Sequence, residues 1–171
     1  MKIRTDYVTN SSSSSFILAF DNDKDYVDFC ESCEWLDYEQ LSYMIKNSIL
    51  KTSQSEQRNN ARELLKRYFE RNKYVDIILA ERFKDYHEDK SADKYVKILD
   101  FVKSKEYVDK LKQLLDNDKD YQKKLKRINE AKIVVEMMIW DTSGGILEWA
   151  IRNGFLESEY WRNLILRWNV G

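Results

Sequence analysis

Two short apolar runs in this chain each end on an aspartate: "FILAF" (16–20) runs into Asp21-x-Asp23, and "KIVVEMMIW" (132–140) runs into Asp141. Both runs are rich in large or β-branched apolar side chains, which reads as buried strand. Carboxylates just beyond strand ends can hold Mg²⁺, which takes oxygen ligands in an octahedron and commonly shares them with a phosphate. Asp21, Asp23 and Asp141 are therefore the candidate ligands of a Mg²⁺-dependent phosphate-handling enzyme, provided that the two strands end at one place. The plainer reading is that Asp and Asn end strands by forming turns, and we favour it.

"FILAFDND" resembles the opening motif of the haloacid-dehalogenase-type phosphotransferases, an apolar strand followed by D-x-D. The chain departs from that pattern: the usual glycine and threonine do not follow, and alternating β-α units are absent. "TSGG" (142–145) lies between a predicted strand and a helix starting near Ile146, where backbone N–H groups can cradle phosphate. It lacks both glycine-rich phosphate-loop spacings, and it reads as a cap and turn. Cys30-x-x-Cys33 is the only cysteine pair and His87 the only histidine, short of the two pairs that a structural zinc site typically needs. Acidic neighbours work against a reactive thiolate there, so the cysteines read as core residues. One histidine, remote in sequence from serine and cysteine alike, gives a nucleophile–base triad poor support.

Charge is unevenly placed. Arg58, Arg62 and Lys66 are spaced four apart, with Arg67 and Arg71 on a neighbouring row, so one helix face could grip the phosphates of a nucleic acid. Glu63 and Glu70 sit four residues from Arg67 and Lys66, which favours a solvated face with internal pairs. Residues 21–40 carry eight acidic groups against the single cation Lys24, interleaved with aromatics. Asp25, Asp28, Glu31, Trp35 and Asp37 form a candidate acidic docking face for a basic protein. With a formal net charge of −1, the chain as a whole is neither a dedicated nucleic-acid binder nor a DNA mimic.

Five serines, Ser11, Ser12, Ser13, Ser14 and Ser15, stand between Tyr7-Val8 and Phe16-Ile17. Three uses compete: a flexible connector, an ordered loop lining an anion-binding concavity, or a segment that a partner enzyme modifies or cleaves. "MKIRTDYVTNSSSSSF" resembles the N-terminus of a recurring set of small, uncharacterised bacterial and phage proteins that share V-[ST]-N, a serine run and Phe. The resemblance covers about residues 1–20 and implies no activity.

The elements that must position these groups are mostly helical. The chain has no proline and four glycines in 171 residues, and it is 43% apolar and 35% charged, a composition of amphipathic helices rather than disorder. Apolar stripes at three- and four-residue steps predict helices over 24–50, around Ala61, Leu65 and Phe69, and around Val75, Ile78 and Leu79. Further stripes comprise Ala92, Tyr95, Val96, Leu99 and Val102, then Val108, Leu111 and Leu115, then Tyr121, Leu125 and Ile128. A last helix is predicted with Trp161, Leu164, Ile165 and Trp168 on one face. The expected fold is α+β and mostly α, a small sheet from N- and C-terminal strands packed against amphipathic helices. It forms one domain over 1–171, a helical insertion of about 24–131 lying between strands 16–20 and 133–140. Residues 2–8 are a candidate third strand.

No run approaches the roughly 20 apolar residues that span a bilayer, and the polar residues after "MKIR" do not make a secretory signal. We expect a cytoplasmic protein with reduced thiols and no membrane partner. The favoured function is a non-enzymatic interaction or accessory protein, of the phage or mobile-element inhibitor type, binding another protein through a helical surface without a cofactor. The Mg²⁺ enzyme is the alternative, and nucleic-acid binding through the basic face comes third.

Overall fold

A computed structural model describes residues 13–34, 53–83, 92–140 and 163–170. The fold is mostly helical α+β, with a three-stranded sheet built from N- and C-terminal strands and packed against helices. The chain divides into two compact units, residues 1–61 together with 127–171, and residues 62–126.

In the first unit, strand β1 (Ser13–Phe20) is the centre of the sheet, flanked by β2 (Ile133–Trp140) and β3 (Leu164–Val170), both antiparallel to it. Ser15 through Phe20 are all fully buried, which explains why this strand is continuously apolar rather than alternating. Its register with β2 runs unbroken from Ser13 opposite Trp140 to Phe20 opposite Ile133. With β3 it runs from Ser13 opposite Val170 to Ile17 opposite Leu166, then shifts so that Leu18 faces Leu164. The extra residue, Ile165, makes a bulge of the kind that bends an edge strand and discourages further pairing.

Helix α1 (Asp23–Glu34) follows β1 at once. The Asn22 side chain caps it, its Oδ1 accepting from the Asp25 N–H at 2.8 Å, and Asp23 and Asp25 in the first turn suit the helix dipole. The Phe20 ring lies 5.6 Å from Tyr26 and 5.5 Å from Phe29, which fixes α1 on that face of the sheet.

Helix α2 (Gln54–Phe69) serves the sheet's other edge. Gln54 Oε1 accepts from the Val134 N–H and Gln57 Oε1 from the Glu136 N–H, both at 2.9 Å. Alternate residues of an edge strand aim N–H groups outward, and those two are satisfied here by side chains one helical turn apart. Arg58, beside them, donates to the carbonyls of Ile128, Asn129 (3.1 Å) and Ala131 (2.9 Å). It thereby closes the C-terminal end of helix α6 (Lys119–Glu130), where backbone carbonyls lack helical partners.

The second unit is helical. A single π turn (Glu70–Tyr74) joins the end of α2 to α3 (Val75–Arg82). Helices α4 (Ala92–Val102) and α5 (Lys105–Asn117) follow, and α6 begins after Asp118. Ser104 caps α5, accepting from the Tyr107 N–H at 3.2 Å. The core holds Leu65, Phe69, Ile78, Leu111 and Leu115. Edge-to-face ring pairs join Phe69 to Tyr121, Phe83 to Phe101, and Phe101 to Tyr107, at 5.3–5.8 Å.

Two expectations are corrected. Residues 164–170 form strand β3 instead of the last helix. Leu164, Ile165 and Trp168 fit a helical stripe, but in a short apolar run that spacing does not separate helix from strand, and pairing with β1 decides. The stripe of Ala92, Tyr95, Val96, Leu99 and Val102 predicts a packed helix face, yet Tyr95, Val96 and Leu99 are exposed, and Phe101, outside that stripe, is buried. The candidate strand 2–8, residues 35–50 of the first predicted helix, and the helix from Ile146 lie outside the described residues.

Candidate functional site

Among the described residues, the densest polar arrangement belongs to the second unit and centres on Asp118. Its side chain is 2% exposed, and its two oxygens have separate tasks. Oδ1 accepts from the N–H groups of Asp120 at 2.9 Å and Tyr121 at 3.0 Å, the N-cap of α6. Oδ2 accepts from the Lys73 ammonium and the Tyr74 hydroxyl. Both donors come from the π turn, whose extra residue per turn re-aims successive side chains. Glu70, at the start of that turn, accepts from the Tyr107 hydroxyl at 2.7 Å. The π turn therefore fastens α5 through Tyr107 and the α6 cap through Asp118.

Burial pushes the Asp118 carboxyl up, but hydrogen bonds from Lys73, Tyr74 and the Tyr121 N–H outweigh it and hold the group at about 2. The hydrogen bond to Asp118 raises Lys73 against the opposing cost of desolvation. Burial, aided by hydrogen bonds to carboxylates, raises the Tyr74 and Tyr107 hydroxyls. Each group is pushed away from neutrality: Asp118 and Lys73 are firmly charged, and both tyrosines firmly protonated. A general acid or base wants a pKa near the working pH, so this cluster acts as a fastener. In the sequence, Asp118 lies in "DNDKD" (116–120), and an Asp before a helix is an N-cap signal. Nothing in the sequence points from Asp118 to Lys73 and Tyr74.

The second feature is a surface. On α4, Tyr95 is 64% exposed, Val96 53% and Leu99 39%. They lie at steps of one, three and four residues and form one outward strip. Large apolar side chains grouped on an outer helix face mark interaction sites more often than scattered ones do.

The sequence-derived candidates fare unevenly. Asp21 pairs with Arg127, whose other nitrogen donates to the Ala19 carbonyl at 2.9 Å, and Asp23 pairs with Lys132. Asp141 lies outside the described residues, but its neighbour Trp140 pairs with Ser13. Ser13 and Phe20 are the two ends of β1, about 23 Å apart at the usual rise per residue. β2 is antiparallel to β1, so its last described residue, Trp140, and Phe20 lie at opposite ends of the pair. Among the described residues, no group of three or more His, Cys, Asp or Glu side chains could hold a metal ion.

Of the basic candidates, Arg58 is committed to three backbone carbonyls in the first unit. Arg62, Lys66, Arg67 and Arg71 belong to the second unit. In the acidic segment, Asp25 and Asp28 are half-buried on α1. Glu31 and both cysteines are residues of α1, while Trp35, Asp37, His87 and "TSGG" lie outside the described residues. Ser13, Ser14 and Ser15 are strand residues of β1, which replaces the connector reading for those three, and Ser11 and Ser12 lie outside. Ser15 is fully buried, and its hydroxyl has no hydrogen-bond partner among the described residues.

No protein-family model, curated protein or solved structure matches this chain. Its class is the one the fold defines, a mostly helical α+β protein. Among the described residues no helix is long and apolar enough to cross a membrane.

Proposed function

We propose that this protein is a cytosolic, non-enzymatic interaction protein, an accessory or inhibitor of the kind that phage and bacterial mobile elements carry. It binds another protein through the outer side of its helices. The observation that carries this reading is the strip of Tyr95, Val96 and Leu99, whose periodicity is that of a packed helix face although the chain leaves it exposed. The resemblance of the N-terminal serine segment to small bacterial and phage proteins supports the source. The Mg²⁺ and nucleic-acid readings have less behind them, because Asp21, Asp23 and Arg58 are already engaged within the fold.

The test is capture from a lysate of the native host, with full-length wild type and a Leu99→Glu variant as parallel baits. A protein retained by wild type and lost by the variant is the expected result. A lysate that yields no such protein, or one held equally by both baits, overturns the reading.

A further inference from the structure

We draw no further inference here: the strongest candidate, the exposed apolar strip of Tyr95, Val96 and Leu99 on the outer face of α4, is already the docking surface proposed above, and nothing in the structure shows what covers it.

Discussion

The side-chain oxygen of Gln57 on α2 accepts the N–H of Glu136 on β2 at 2.9 Å, and Gln57 itself is 3% exposed. A helix thus closes the outer edge of this sheet, a task that a fourth strand would otherwise perform. An open edge invites pairing with another chain, so the contact contributes to solubility as well as stability.

Replacing Gln57 by Leu should therefore cost about 1–3 kcal/mol of unfolding free energy, because it leaves a part-buried N–H without its acceptor. Gln57→Glu keeps an acceptor oxygen but buries a charge beside Glu136, so it should not recover the loss near neutral pH. Urea denaturation followed by circular dichroism measures both. A Leu variant as stable as wild type would mean that water serves the Glu136 N–H equally well.

Asp118 sets the acid limit of the helical unit. Its carboxyl titrates at about 2 in the folded chain against 3.8 for an ordinary aspartate. A depressed pKa contributes stability that is fully present above the unfolded value and is lost as pH falls through the folded one. The loss therefore falls between about pH 4 and pH 2, and it amounts to roughly 2 kcal/mol. Asp118→Asn should flatten the pH dependence in that window while lowering stability at pH 7. An Asn variant whose acid unfolding profile parallels wild type would remove Asp118 from this role.

How much of this was legible in the sequence depends on where each element finds its partners. β1 and β2 announce themselves, because consecutive residues buried on both faces must be apolar, as Phe16–Phe20 and Val134–Val135 are. β3 does not, since Leu164, Ile165 and Trp168 satisfy a helical stripe and only the register with Ser15–Leu18 selects the strand. One sequence cannot say whether two strands end together or apart, and only the register shows that β1 and β2 are antiparallel, with Phe20 opposite Ile133. Arg58 looked like a surface cation, and its carbonyl partners lie 70 or more residues away. The Asp118 cluster was hidden for the same reason, with Lys73 45 positions distant.

Ser15 offers a test of the serine run. Its hydroxyl is fully buried in the central strand without a hydrogen-bond partner among the described residues, a state that costs about 1–3 kcal/mol. Ser15→Ala removes that hydroxyl with almost no change in shape and should leave stability equal or higher by thermal unfolding. Ser15→Asp should prevent folding, since a charge there has no counter-ion close by in the strand. A clear loss of stability in the Ala variant would reveal an acceptor for that hydroxyl.

The two sides of α4 should respond in opposite ways to truncation. Phe101 is the helix's buried anchor, its ring 5.5 Å from Phe83 and 5.8 Å from Tyr107, and Arg82 lies over its face at 5.8 Å. Phe101→Ala should cost about 3–5 kcal/mol, combining lost transfer energy with the cavity left behind. Tyr95→Ser and Val96→Ser remove apolar groups that face outward, so their effect on the monomer should stay within about 0.5 kcal/mol. Measuring all three by denaturation at low protein concentration isolates the folded chain from any association. If Tyr95→Ser destabilised the monomer as strongly as Phe101→Ala, the strip would be part of the core, and α4 would have no outer apolar face to present to a partner.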